Sequence, residues 1–567
     1  IGKTHFVILR YTSAQDIVRL IIVMIIGSVI FVSVDIVTYF FFGNIFFIPF
    51  SIIIIEFLLS FFGAAAVRLI AKVTYLELSG PSGRRSKVII FGAGEAGILT
   101  KRVLERDAGS KLKVLAFLDD DPRKAGKKLE GTEIIPTGNL DGLLAKNHVE
   151  QVIISVQNLK QSRKQEIIES CIRYDVKVMN VPPIVQWING ELSFNQIKKI
   201  NIEDLLGREV IKLEEKSLHR ELNGKTVLIT GASGSIGSEL FRQLARFKPG
   251  KLLLLDQSET PLFHLELECL EKFPDLNYEI IVADICNEMR MRKVFNTFNP
   301  EIIYHAAAYK HVPMMENNPT EAIHTNVEGT RILADLAVEF GLKKFIMIST
   351  DKAVKPTNVM GASKRIAEIY VQSLSNGKTS FITTRFGNVL GSNGSVIPLF
   401  RQQIENGGPV TITHPEITRY FMTIPEACQL VLEAGAMGKG GEIYIFDMGD
   451  SVKIVDLARK MIKLSGLELG KDIQIKYIGL RPGEKLYEEL LNDKENTLPT
   501  HHPQIMIARV EEYERKYVEK VINELIALYL KQDNFKIVKR MKEILPEFKS
   551  KNSVYEQLDA AEDVENT

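Results

Sequence analysis

Asp351 and Lys352 stand side by side just past an apolar run at residues 345–348, which reads as a strand ending in Ser349 and Thr350. A carboxyl and an amine at one strand end can move protons in opposite directions, or can simply pair with each other on a surface. Further along, Met360 and Lys364 are four apart and share one face of a helix. Upstream, Gly231-Ala232-Ser233-Gly234-Ser235-Ile236-Gly237 follows the apolar run Thr226–Thr230. Strand, glycine turn and helix start are what a backbone needs to approach a phosphate closely. Asp256 closes the next run, about 20 residues past the glycines, where a carboxylate accepts both ribose hydroxyls and repels a 2′-phosphate. NAD is therefore expected over NADP. Asp284, beside Ile285, closes the run at 279–283 and suits the adenine edge. Ala306 and Ala307, after the run at 302–304, are small enough to let the chain pass close to a dinucleotide.

These groups fall at the ends of short apolar runs alternating with amphipathic stretches, the pattern of parallel α/β domains whose strand C-termini face a ligand crevice. An earlier stretch repeats the theme. The run at 87–91 leads into Gly92-Ala93-Gly94-Glu95-Ala96-Gly97, further runs follow at 114–118, 152–156 and 176–181, and Asp119-Asp120-Asp121 falls where a ribose carboxylate would. No catalytic constellation follows it, so that segment is expected to be regulatory or structural. The fold class expected is α/β: an N-terminal transmembrane helical hairpin, then two Rossmann-like parallel-sheet domains, the second with a small C-terminal substrate-binding portion. Boundaries are expected at 1–75 for the anchor, 82–185 for the first α/β domain and 186–223 for a connector holding Trp187 and the phrase at 203–209. The second domain should run over 224–512, and 513–567 should form a helical and acidic tail, disordered or solvent-exposed past Lys549.

Between Arg19 and Arg68 only Asp35 and Glu56 carry charge, enough for two spans of about 20 residues each. They are expected at 20–39 and 47–67, with an aromatic turn (Phe42, Gly43, Asn44) between. Lys3, Arg10 and Arg19 before them, and Arg68, Lys72, Arg84 and Arg85 after, place both outer ends in the cytoplasm. Asp35 and Glu56 are expected near an interface or against a partner helix. The chain opens on Ile1 rather than Met, and further spans are expected upstream. Overall, 71 Lys and Arg offset 70 Asp and Glu, which argues against a nucleic-acid partner. Cys171, Cys269, Cys286 and Cys428 lie too far apart in sequence for a disulfide framework or a zinc ribbon, so no metal is expected and a reducing compartment suits the chain.

At this point longer phrases become specific: STDKAVKPTNVMGASKR (349–365), RFGNVLGSNGSVIP (385–398), TRYFMTIPEA (418–427) and LRPGEKLYEEL (480–490). Together with the glycine turn and the HAAA phrase at 305–308, they resemble an extended short-chain dehydrogenase/reductase. Within that superfamily they are similar to the membrane-anchored UDP-N-acetylglucosamine 4,6-dehydratases of polysaccharide and glycoprotein glycan biosynthesis. The resemblance covers the hairpin, both α/β domains and the connector. It implies a hydro-lyase that uses NAD to turn UDP-N-acetylglucosamine into the 4-keto-6-deoxy sugar, retaining configuration at C5. A homo-oligomer on the bacterial inner membrane, with its catalytic domain in the cytoplasm, is expected. One position departs from the wider superfamily: Met360 stands where a tyrosine usually moves a proton, and a thioether has no proton to give. The large membrane-bound dehydratases share that replacement.

By the same resemblance, Asp351 is the acid at C6, Lys352 the base at C5, Thr350 a hydrogen-bond partner of the C4 oxygen and Lys364 the ligand of the nicotinamide ribose. The acceptor of the C4 hydroxyl proton stays open between Lys352 and a water. A lysine base must be neutral, so its pKa is expected below the ordinary value of about 10.4, with Lys364 as the neighbouring cation. Lys310, Asn388, Arg419 and Arg481 are expected on the substrate, alongside Arg385 and Lys485, with Glu416 and Glu484 orienting the arginines. Competing readings are a C5-inverting dehydratase, a UDP-sugar 4-epimerase, which keeps the tyrosine, and a non-catalytic NAD-sensing membrane scaffold.

Overall fold

The two long uncharged stretches form helices, Ala14–Phe41 and Phe50–Leu78, in the computed structural model. The structure describes residues 14–41, 48–78, 86–106, 112–184, 187, 192–200, 215–375, 377–488, 497–508 and 513–559. The aromatic turn at 42–44, Lys3, Arg10, Arg84 and Arg85, the phrase at 203–209 and the acidic residues after 559 lie outside them. Two compact units divide the chain: residues 1–137 with short returns at 148–150 and 187–194, and the remainder.

In the first unit the two helices pack side by side as a hairpin, while Ile26, Ile30, Phe31, Leu59 and Phe62 face outward. That much apolar surface is unfavourable in water and at home in lipid, so the hairpin is a membrane-associating element. Asp35 is buried, and its Oδ1 accepts from the Ile48 amide at 2.9 Å. Glu56 accepts from Ser60 Oγ one turn along its own helix, at 2.8 Å. The same unit holds the strand Ser86–Phe91, parallel to Leu112–Asp119, which in turn pairs in parallel with Thr132–Pro136. Helix Glu95–Arg106 follows the first glycine turn. There the Ala93 amide and Lys124 Nζ both donate to Asp119 Oδ2, at 2.9 and 2.8 Å.

In the second unit, residues 151–154 pair in parallel with Lys177–Asn180. Its dominant feature is a nine-stranded sheet in the order Tyr278–Val282, Lys251–Asp256, Thr226–Thr230, Ile302–His305, Lys344–Thr350, Ser380–Phe386, Ile443–Phe446, Ile505–Ala508, Thr497–Pro499. The first seven are parallel and the last two antiparallel. Each strand in the middle is almost wholly apolar because helices cover both faces. The order turns back between Thr226–Thr230 and Ile302–His305, and a ligand crevice opens at that switch, beyond the strands' carboxyl ends. The strands read from the sequence of this sheet lie within two residues of those observed.

Helix Val359–Ser373 is buried from Val359 to Val371. It lies in one core with Arg515–Tyr529 and Asn534–Ile544 packed against its outer side. Past Lys549 the structure describes residues 550–559, of which Lys551, Asn552, Val554, Glu556 and Gln557 are exposed, as the composition suggests, while part of the segment docks. Tyr555 is buried, and Asp559 pairs at 2.7 Å with the buried Lys542.

Candidate active site

Gly231 has φ +66°, a left-handed backbone that glycine adopts freely. A Cβ on it would stand 2.7–2.9 Å from the backbone of Ala306 and Ala307, so a side chain there would force two strand ends apart. Helix Ser235–Ala245 starts immediately, with Gly234 as its N-cap, and its free amides face the crevice. Asp256 Oδ2 accepts from the amide and hydroxyl of Ser233, at 3.1 and 2.7 Å, and Oδ1 from the Ser258 amide at 3.0 Å. The carboxylate is thus fixed, with lone pairs left over for ribose hydroxyls. Asp284 is exposed at its strand end, beside the buried Ile285. A closely approached backbone, a helix N-terminus and an anchored carboxylate fit NAD.

The cradle opens into a cavity of about 600 Å³. Gly231, Gly234, Ser235, Ile236, Gly237 and Ala306 line one end; Thr350, Lys352, Met360 and Lys364 lie in it; Lys310, Asn388, Arg419, Arg481 and Lys485 line the rest. Asn388 and Arg419 are carried by two short sheets, Asn388–Val389 with Phe421–Met422 and Thr418–Arg419 with Val452–Lys453. The loop bearing Asp351 and Lys352 is held against the helix of Met360 by Gly361, where a Cβ would stand 2.1 Å from the Lys352 carbonyl. Asn358 caps that helix, accepting from the Gly361 amide at 2.8 Å.

Asp351 is buried behind this surface. Its Oδ1 accepts from Thr350 Oγ1 at 2.8 Å and from Lys352 Nζ at 3.0 Å. Lys352 Nζ also donates to Asn388 Oδ1 at 3.1 Å and lies 3.5 Å from Glu488. This arrangement reverses one expectation. Burial works against the Lys352 ammonium, but Asp351 and Glu488 outweigh burial and the opposing Arg419, and hold its pKa above the ordinary value. The resting lysine is charged. Burial pulls Lys364 down, to about 8, against the field of Glu368, and lowers Lys310 as well. His305, buried between Thr230 and Thr330 hydroxyls at 2.8 and 2.9 Å, is pushed to about 3 by burial and is neutral.

Two further expectations change. Arg385 does not face the cavity: it is buried in the sheet, its Nε donating to Glu368 at 2.8 Å. Glu416 orients no arginine but pairs at the surface with Lys453, at 2.8 Å. Glu484 does lie between arginines, 3.5 Å from both Arg419 and Arg481. Arg481 is half-exposed. The guanidinium of Arg419 is largely committed to the chain, donating to the carbonyls of Thr418, Lys485 and Leu486 at 2.7, 2.8 and 3.3 Å. Glu488 is the residue that sequence reasoning passed over, though it stands in the phrase at 480–490 one helical turn's spacing after Glu484.

Sheet order, glycine cradle and a lysine-bearing helix beside the fifth and sixth strands define an extended short-chain dehydrogenase/reductase. A family model described as "Polysaccharide biosynthesis protein" matches residues 227–510. The chain is 45% identical over 463 residues to the capsular polysaccharide biosynthesis protein CapD of Staphylococcus aureus, covering 80% of this chain and 77% of that one. It is 35% identical over 282 residues to a UDP-N-acetylglucosamine 4,6-dehydratase (inverting) of Campylobacter jejuni, covering 49% and 80%. It is 36% identical over 282 residues to a UDP-glucose 4-epimerase of Rickettsia rickettsii, covering 48% and 79%. The chain belongs to the polysaccharide biosynthesis protein family.

Proposed function

We propose that the chain is a nucleotide-sugar-modifying enzyme that dehydrates UDP-N-acetylglucosamine across C4 to C6, retaining configuration at C5, for glycan or polysaccharide synthesis. It would act from the cytoplasmic face of a bacterial inner membrane, held by the hairpin. The observation that carries this reading is Lys352 Nζ lying 3.0 Å from Asp351 Oδ1 in the cavity that the glycine cradle also lines, with Met360 where a tyrosine would stand.

Gly231, Asp256 and Lys364 would hold NAD in the cradle, where it would supply a reversible store for one hydride. The protons are the protein's task. With its ammonium proton released to solvent, Lys352 is the amine base needed at C5, and Asp351, charged by the proton of the C4 hydroxyl, is the carboxylic acid needed at the C6 hydroxyl. Lys352 then takes the C5 proton while Asp351 releases its own to the departing hydroxyl, giving water and the resting charge state. Lys352 returns its proton to C5. Thr350, hydrogen-bonded to Asp351 at 2.8 Å, offers a path by which the C4 hydroxyl proton recharges Asp351. Asn388 fixes the lysine head, and Arg481, Lys310 and Lys485 supply cations for the diphosphate.

A C5-inverting dehydratase is the second reading, favoured by the 35% identity of the catalytic half to the Campylobacter enzyme. The full chain in detergent, incubated with UDP-N-acetylglucosamine in deuterium oxide, should give a product lighter by one water and labelled at C5, whose configuration separates the two readings. Lys352→Met should lower that rate by about 10²- to 10⁴-fold. An unchanged substrate mass with wild-type protein, or an unaffected Lys352→Met variant, refutes the assignment.

A further inference from the structure

Glu488 is nearly buried, its side chain 6% exposed. Its Oε1 stands 3.5 Å from Lys352 Nζ and 3.4 Å from Arg419 Nε. Arg419 in turn anchors the loop that carries Arg481, Glu484 and Lys485 through the carbonyls of Lys485 and Leu486. The lysine's head is therefore tied, through one carboxylate, to the loop whose exposed arginine faces an incoming anionic group. The charged groups facing Lys352 are Asp351 from its own loop, Glu488 from this loop and Arg419 from its short strand, with Asn388 as a neutral partner.

We propose that Glu488 is a positioning residue that couples seating of the 481–488 loop on the substrate's diphosphate to the placement and protonation of Lys352. The proposal rests on the dehydratase reading and extends it. Asp351 alone pairs with Lys352 along the chain, and a flexible lysine stem has many rotamers. The second carboxylate selects the one in which Nζ points at both Asp351 and Asn388. Because Glu488 sits on the substrate-facing loop, a shift of that loop changes the lysine's second counter-charge. Glu488 also stabilises the ammonium that forms when Lys352 takes the C5 proton.

The test needs no turnover. The full chain in detergent, without sugar, is treated with an amine-acylating reagent across a range of pH, and labelling of Lys352 is followed by mass spectrometry. Removing an opposite charge at this range should lower the labelling midpoint in Glu488→Gln by about 1–3 pH units, and Glu488→Asp should fall between Glu488→Gln and wild type. UDP should shift the midpoint in wild type and shift it less than half as far in Glu488→Gln. An unchanged midpoint in Glu488→Gln overturns the bridge. An equal UDP shift in both proteins means that the diphosphate's field acts directly on Lys352, and overturns the coupling. Should Glu488→Gln fail to fold, Glu488→Asp carries the same comparison with the same two overturning results. In turnover, Glu488→Gln should lose at least about tenfold in kcat with KM little changed, the sign of an aligned proton acceptor rather than of binding. A shifted midpoint in a chain that dehydrates nothing supports the bridge and defeats the dehydratase reading. Dehydration with an unshifted midpoint does the reverse.

Discussion

Lys364 offers a test of what burial does at this site, because its two consequences point in opposite directions. The residue is 4% exposed, and its amine is pulled from 10.5 to about 8 by burial, with the charge of Glu368 acting in the opposite direction. A group whose folded pKa lies below its unfolded one penalises folding while it is protonated. Between pH 8 and 10.5 the unfolded chain holds more protons, so stability rises with pH across that window and the penalty is fully present below it. At 1.36 kcal/mol per unit, the shift corresponds to a penalty on the order of 3 kcal/mol at pH 7. Lys364→Met keeps the length and removes the charge. Its catalytic unit should therefore melt about 5–10 °C higher than wild type at pH 7, taking the spacing usual for domains of this size, and the gain should vanish as pH approaches 10.5. The assay is intrinsic-fluorescence melting of the detergent-solubilised chain without added nucleotide, at pH 7 and near pH 10, because bound cofactor would raise the wild-type value by mass action. NAD affinity should fall in the same variant. A Lys364→Met protein that melts below wild type at pH 7, or that shows the same difference at both pH values, refutes the account of Lys364 as a stability sacrifice made for the cofactor.

Arg385→Met should fail in the opposite way. It leaves the fully buried Glu368 with Arg365 as its ion-pair partner, a loss of about 3–5 kcal/mol, read as a lower melting temperature without a matching change in KM. Thr350→Val keeps the volume but removes the hydroxyl between the cavity and Asp351, so turnover should drop at least about tenfold while Thr350→Ser retains most of it. Equal activity in Thr350→Val and Thr350→Ser would remove Thr350 from the proton path.

What the sequence made legible follows from locality. Strands of the catalytic sheet are continuous apolar runs because both faces are covered, and each run ends in the glycines or polar residues that a crevice needs, so Gly231, Asp256, Thr350 and Lys352 could be placed without coordinates. Arg385 and Arg419 look alike in sequence. Only the structure shows that Arg385 lies on a strand buried between two helical layers, facing Glu368, which is a partner set by packing. The charge state of Lys352 is also a tertiary property, since one of its two carboxylates arrives from a loop far along the chain. Composition was a partial guide at the C-terminus for a related reason: Phe548 and Tyr555 are buried in the core cluster that includes Met360, while Val554, Glu556 and Gln557 between and beyond them are exposed.

Met360 makes the proton accounting of the site unusually strict. Over a complete cycle of the proposed dehydration the C4 hydroxyl would release one proton, C5 would give one up and take one back, and the departing C6 hydroxyl would consume one, so the proton lost at C4 must replace the one lost by the acid. Where a tyrosine stands, its hydroxyl can hold that proton; a buried thioether cannot. Thr350 places a hydroxyl on the cavity wall beside the proposed acid, and it already donates to the same Asp351 oxygen that Lys352 touches. In the proposed reaction one carboxylate oxygen would collect the alcohol proton on one side while it holds the lysine on the other. Loss of the tyrosine then becomes tolerable in this scheme, because the carboxylate oxygen that would receive the C4 proton through Thr350 also holds the Lys352 head in place for C5.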